Sequence, residues 1–371
     1  MVLQSIRASE LSIPFKAAFR HASAERLATQ TLWVEVRDRT GLAGHGEGCP
    51  REYVTGESLE SAREFVAAHT HEWLESIGDP ASLAAWAATH RASIDANPAA
   101  WCAVELALLD LFGKVRGESV EALLGLQPIT GTFRYTAVLG DASPSQFEAM
   151  LGYYRKAGFR DFKIKLSGDR ERDRAKTHAL TAAGIAPPSV RADANNLWSD
   201  ADAAMEDLRA LGFPFLALEE PLAAGDLRGM ERLAEALDTR IILDESLLRP
   251  DQLGGLGGGP GRWIANLRVS KAGGLLRALE LVREVRRAGL AMIVGAHVGE
   301  TSLLTRAALT VASCGRDILL AQEGAFGTHL LTHDVVEPPI MFGAGGILDA
   351  AALGLGTAPG LGIQLRPGRV P

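Results

Sequence analysis

Beyond residue 131 the chain alternates short apolar runs with amphipathic stretches. The runs are FRYTAVL, FKIKL, SVRAD, FLALEE, RIILDE, WIANLRVS, AMIVGA and DILLAQ. Between them lie segments such as PSQFEAMLGYYRKAG, DADAAMEDLRALG, LRGMERLAEAL and LLRALELVREVRRAG, which carry helical patterning. Strands alternating with helices predict a parallel sheet, and eight such units in about 200 residues predict a (β/α)8 barrel. A doubly wound open sheet is the competing arrangement. Chemical groups at the ends of several strands favour the barrel.

The first 130 residues follow another rhythm. TLWVEVRD, Thr31 to Asp38, alternates like a strand and runs into GLAGHGEG, which reads as a glycine-punctuated turn or bulge. SLESAREFVAAH and PAAWCAVELALLDLFGKVRG follow. In the second, Ala100, Val104, Ala107, Leu108 and Leu111 recur at helical spacing. This predicts an α+β block over 1–130, a barrel over 131–345, and a Gly- and Pro-rich segment over 346–371 that returns to the first block.

Composition narrows the class. Of 371 residues, 47% are hydrophobic and 22% charged, with a net charge of -7. That is an ordinary globular mixture without the basic footprint of a nucleic-acid binder. Cys49, Cys102 and Cys314 are too far apart for a zinc pattern or a disulfide framework, which predicts a reducing, cytoplasmic setting. The N-terminus lacks the apolar core of a signal peptide, and no run is long enough to span a membrane. GGLGGGPG has no following GK[ST], so it reads as a loop rather than a phosphate cradle.

In a barrel the reactive groups stand at the C-terminal strand ends. FKIKL ends in Lys163 and Lys165, SVRADANN in Asp193 and Asn195, and FLALEEP in Glu219 and Glu220. RIILDES ends in Asp244 and Glu245, and IANLRVSKAGG in Lys271. From Lys165 through Asp193, Glu219 and Asp244 to Lys271, each step is 25 to 28 residues, one strand-helix unit. Three carboxylates from consecutive strands make an oxygen cage of the kind hard divalent cations prefer. Any one of them alone is as readily a helix cap. Lys163 and Lys165 lie two apart on one strand and share a face. Beside such a cage that face is the barrel mouth, with Phe162, Ile164 and Leu166 packing beneath the helices. Lys271 alone is as readily a surface lysine.

K-x-K, D-x-N, E-E-P, D-E-S and K-x-G-G, in this order and spacing, resemble the enolase superfamily and more narrowly its muconate-lactonizing-enzyme subgroup. GLAGHGEG, ALLDLFGKVRG and PGLGIQL resemble further segments of that family, so the likeness spans nearly the whole chain. It implies an α+β capping domain on a modified TIM barrel, (β/α)7β, in which the first unit is irregular or the eighth helix is missing. It implies Mg²⁺, with Mn²⁺ as a substitute, on Asp193, Glu219 and Asp244. It implies removal of a proton α to a carboxylate through an enediolate, with Lys165 and Lys271 on opposite faces of the substrate. Lys163 then favours the neutral, basic form of Lys165 and helps bind the substrate carboxylate. Asn195 and Glu245 orient the groups that touch metal and substrate.

The reaction implied is racemisation, epimerisation or cycloisomerisation of a small carboxylate by a homo-oligomer. A lyase of the same superfamily, resembling o-succinylbenzoate synthase or the acid-sugar dehydratases, is the alternative. A non-catalytic metal-dependent binding protein has no need of flanking lysines. Substrate contacts are expected from Arg51, Thr136, His297, Glu300 and Glu323. The loops FKAAFRHASAE and PREYVTGE belong to the same group, and the second resembles a loop of dipeptide epimerases. Those enzymes hold the substrate ammonium with an Asp-x-Asp on the eighth strand. Here LLAQEGAFGTHLL instead resembles the E-x-F-G region of cycloisomerases, at Glu323, Phe326 and Gly327. IVGAHVGETSLL matches neither pattern.

Overall fold

The computed structural model describes residues 1–21, 24–324 and 327–371. The loop FKAAFRHASAE is therefore only partly covered, and Phe326 lies outside the described residues.

Eight short parallel strands form one sheet: Ala137–Leu139, Phe162–Lys165, Val190–Asp193, Ala217–Glu219, Arg240–Leu243, Trp263–Leu267, Ala291–Val294 and Leu319–Gln322. They are called the first to eighth barrel strands below. Sequence neighbours pair throughout, and a parallel bridge from Tyr135 to Gln322, with the Thr136 amide donating to the Gln322 carbonyl at 2.8 Å, brings the first edge to the last. The sheet is a barrel, not an open doubly wound sheet.

The alternation in FKIKL works as the two-residue period demands. Phe162, Ile164 and Leu166 are buried in the large core shared with the surrounding helices. Lys163 and Lys165 take the other face. Inside the barrel, Ala217, Ile242, Ile264, Ile293 and Ala321 form a separate apolar plug, one residue from each of five consecutive strands. This plug is the floor on which the polar mouth is built.

Three details depart from a plain eightfold repeat. FRYTAVL is two strands, because Thr132–Arg134 leaves the barrel to pair antiparallel with Ile347–Asp349. The fifth barrel strand is followed by 3₁₀ turns at Pro250–Gly255 and Pro260–Arg262 rather than an α-helix, since the intervening glycine-rich run cannot sustain one. After the eighth strand only the short helix Gly327–Leu330 is described.

The N-terminal part carries an antiparallel sheet of Leu3–Leu11, Thr31–Asp38 and Ala43–Gly48. GLAGHGEG is thus mostly strand, not turn, and its glycines have a packing reason. A Cβ on Gly44, Gly46 or Gly48 would lie 2.1, 1.9 or 1.9 Å from the carbonyl oxygens of Ala107, Ala103 and Ala99. Every second residue of the strand meets every fourth of the helix Pro98–Arg116, so the two backbones touch. The intervening Glu47 faces the barrel and accepts the Thr301 hydroxyl at 2.6 Å. Near the C-terminus, Leu361 donates its amide to Asp110 Oδ1 at 2.9 Å and the Gly360 carbonyl accepts the Val120 amide at 2.9 Å. Among the described residues no helix is long and apolar enough to cross a membrane.

Candidate active site

The strand ends converge at the barrel mouth. Asp193 and Glu219 are in register on neighbouring strands, as are Lys165 and Asp193. Lys163 and Lys165 answer the first two carboxylates. Lys163 Nζ donates to Glu219 Oε2 at 2.9 Å and lies 3.5 Å from Asp193 Oδ2. Lys165 Nζ donates to Asp193 Oδ2 at 2.5 Å and to Asn195 Oδ1 at 2.7 Å. Burial opposes the charge on Lys163, but Glu219, Glu323 and Asp193 outweigh it and raise its pKa, so it remains an ammonium. Burial and repulsion from Asp193 push Glu219 up to about 7. Burial also works against ionised Asp244, yet Arg268 and Lys271 hold it well below the usual carboxylate range. Crowding three buried carboxylates costs stability unless cations neutralise them.

A cleft opens above this cluster. Its walls include Lys163, Lys165, Asp193, Asn195, Glu245, Arg268 and Glu323, with Ala296 and Val298 from the seventh strand end and Tyr53 from the N-terminal part. Burial, with Asp244 and Glu220 nearby, raises the Glu245 carboxyl well above its usual range.

Lys271 stands elsewhere than the sequence pattern placed it. Its Nζ donates to the Asp244 carbonyl at 2.7 Å, to Asp244 Oδ1 at 2.8 Å and to the Asn266 carbonyl at 2.8 Å. All three protons are committed, the side chain is buried, and it does not line the cleft. The short helix Val269–Ala272 begins directly after the sixth strand and turns Lys271 behind Asp244. Arg268 takes the cleft wall instead, contacting Asp244 Oδ2 and lying 3.8 Å from Glu219 Oε1.

The expected substrate contacts divide in the same way. Glu323 lines the cleft, but Lys163 donates to its Oε2 and Arg191 Nη2 lies 3.4 Å from its Oε1. Thr136 lies beneath the wall, accepting from Arg191 Nη2 at 2.7 Å and donating to Asp161. Arg191 also spans Asp161 with bonds of 2.8 and 2.9 Å. Arg51 is buried and holds backbone, donating to the Pro50, Gln30 and Val298 carbonyls at 2.7, 3.1 and 2.8 Å. His297 and Glu300 are buried behind Ala296 and Val298. Burial, Arg268 and Arg51 push the imidazole well below its usual pKa, and burial raises Glu300 to about 8.

Three positioning groups were not anticipated. Glu220 has φ +39 and accepts the amides of Asp244 and Ser246 at 2.7 and 2.8 Å and the Ser246 hydroxyl at 2.8 Å. It sets the turn that presents Asp244. That strained backbone at the strand end is what lets consecutive glutamates serve different neighbours. Asn266 Nδ2 donates to Glu219 Oε1 at 3.0 Å. Asn266 on the sixth strand and Arg268 directly after its end lie two apart, the same period that revealed the lysine pair, and that signal was available in NLR.

Residues 4–125 match the family described as mandelate racemase/muconate lactonizing enzyme, N-terminal domain, and residues 147–369 match the enolase C-terminal domain-like family. The chain is 31% identical over 359 residues to the L-Lys-D/L-Arg epimerase of Methylococcus capsulatus, covering 95% of each. It is 27% identical over 355 residues to muconate cycloisomerase 1 of Acinetobacter baylyi, covering 92% of each. The structure of the M. capsulatus dipeptide epimerase, complexed with Mg and the dipeptide L-Arg-D-Lys, superposes with a TM-score of 0.80 at 28% identity, covering 98% of this chain and 99% of that one. These matches span both the capping part and the barrel, and the chain therefore belongs to the mandelate racemase/muconate lactonizing enzyme family of the enolase superfamily, as one of its isomerases.

Proposed function

We propose that this isomerase binds Mg²⁺ at Asp193, Glu219 and Asp244 and removes an α-proton from a small carboxylate with one base, Lys165. The observation that carries the one-base reading is Arg268 on the cleft wall where a second lysine was expected. Guanidinium stays protonated in proteins, so Arg268 stabilises negative charge but does not accept a proton.

The donor set fits the ion. Three buried carboxylates on adjacent strands offer oxygen alone, the preference of a hard cation, and the buried Asn266 Oδ1 beside them has no protein partner. The ion supplies positive charge at the substrate carboxylate, where negative charge builds as the proton leaves. The chain's own residues do the rest. Lys165 takes the proton from one face. Lys163, held as an ammonium, adds positive charge beside the substrate carboxylate. Arg268, separated from Lys165 by the three carboxylate strands, faces the developing enediolate from the other side.

This arrangement favours cycloisomerisation, in which one face is deprotonated or protonated, over a two-base racemisation. The epimerase relatives favour a second reading, in which the proton returns on the opposite face. Tyr53, on the cleft wall, is then the donor.

The test is α-proton exchange in D₂O across a panel of small carboxylates, with Mg²⁺ and with EDTA. Exchange at one face only, abolished by EDTA, by Asp244→Asn and by Lys165→Ala, supports the proposal. Full activity in excess EDTA overturns the metal. Equal exchange of both enantiomers overturns the single base, and its loss in Tyr53→Phe establishes the second reading.

A further inference from the structure

Apart from the carboxylate cluster, the described residues hold a group of metal-ligating side chains whose chemistry is different. Cys49 Sγ, a ring nitrogen of His297 and a carboxylate oxygen of Glu300 all lie within 4.8 Å of one another. The three residues are 1%, 1% and 3% exposed. They come from two places. Cys49 follows the strand Ala43–Gly48, its amide donating to Ser270 Oγ at 2.8 Å. His297 and Glu300 share the turn after the seventh barrel strand. In that turn Gly299 takes φ +94, and the His297 amide donates to Glu300 Oε1 at 2.8 Å, folding the carboxylate back beside the imidazole.

The second observation is His297 itself. Neither ring nitrogen has a protein hydrogen-bond partner, although the ring is buried. A buried polar atom without a partner has given up its water with nothing in return, so such a group calls for a ligand. His297 Nδ1 is 3.4 Å from Glu300 Oε1. Two ligand atoms each about 2.0–2.1 Å from a tetrahedral zinc stand about 3.3–3.4 Å apart, so this edge is already set.

We propose that Cys49, His297 and Glu300 form a site for a borderline-soft divalent ion, Zn²⁺ or Co²⁺, distinct from the all-oxygen Mg²⁺ site. One sulfur, one imidazole nitrogen and one carboxylate oxygen suit zinc and not magnesium. Binding replaces the thiol proton of Cys49 with a sulfur-metal bond and the carboxyl proton that buried Glu300 retains near neutral pH with an oxygen-metal bond, releasing both protons to solvent. Thiolate and carboxylate together neutralise the ion. Three protein ligands leave a fourth position for water. The ion would tie the end of the N-terminal sheet to the seventh strand turn, one residue behind the cleft wall formed by Ala296 and Val298.

The test uses the full chain, stripped with chelator and then saturated with Mg²⁺ to fill the carboxylate site. One equivalent of Co²⁺ should produce a thiolate-to-cobalt charge-transfer band in the near ultraviolet, and one equivalent of Zn²⁺ should erase it. Chelator competition should give a Zn²⁺ Kd tighter than about 1 µM. Cys49→Ser should abolish the band. His297→Gln should weaken Zn²⁺ by more than the roughly 10- to 100-fold cost of losing a group that merely supports a ligand. No band in the wild-type chain overturns the site, as does Zn²⁺ binding weaker than about 1 µM or a band that survives in Cys49→Ser. The first two measurements need no variant, so a misfolded Cys49→Ser leaves the test intact.

Discussion

Lys271 grips Asp244 from behind, donating to its backbone carbonyl at 2.7 Å and to its Oδ1 at 2.8 Å. The lysine therefore holds a carboxylate in place rather than facing the cleft. Lys271→Met removes one of the two cations on a fully buried anion. Breaking a buried pair in this way costs about 3–5 kcal/mol. Denaturant unfolding should report that loss, and added Mg²⁺ should recover part of it by neutralising Asp244. A variant as stable as wild type but unable to exchange protons would return Lys271 to the role of base.

Arg268→Lys puts a group that can exchange protons where a permanent cation stands. The variant should exchange α-protons of both enantiomers in D₂O, with the newly exchanged one at least about tenfold faster than in wild type. NMR of the α-proton signals reads both rates in one sample. Unchanged single-face exchange would show that position 268 does not face the α-carbon.

Glu323 is already paired with Lys163 and Arg191, both buried cations. A substrate ammonium would have to displace one of them. Free dipeptides should therefore be poor substrates, with kcat/KM below about 10⁴ M⁻¹s⁻¹, the low end of ordinary enzyme efficiency. Carboxylates with a neutral or anionic α-substituent should be preferred. Steady-state assays comparing free and N-acylated amino acids decide this, and efficient epimerisation of free dipeptides would refute it.

Glu105 lies wholly buried in the helix Pro98–Arg116, where burial raises its pKa to about 7 against a modest pull from the Leu276 amide. The folded state thus retains a proton that the unfolded chain loses above the ordinary glutamate value of 4.5. Stability from this group is complete below that value and is lost as pH rises through about 7. Glu105→Gln removes the titration. Relative to wild type, the variant should gain on the order of 1–3 kcal/mol between about pH 5 and pH 8. Urea unfolding across that range checks it, and parallel curves would reject the assignment.

The amino-acid order by itself determined the barrel, because each strand-helix unit is encoded locally, in an apolar run of fixed period and a helix of fixed length. The same local rule placed Lys163 and Lys165 on one face and spaced Asp193, Glu219 and Asp244 one unit apart. It failed where one residue of register changes direction. Lys271 lies three residues beyond Arg268, and a helix starting between them turns one behind Asp244 while the other stays on the wall. It failed again where contact depends on another part of the chain. The glycines at 44, 46 and 48 read as a turn until the helix Pro98–Arg116 lay on them. Cys49 has no sequence neighbour to suggest His297 and Glu300, which reach it only through the seating of the N-terminal sheet on the barrel. Periodicity is a property of neighbouring residues, whereas orientation and long-range contact are set by packing, and only the closed tertiary structure carries those.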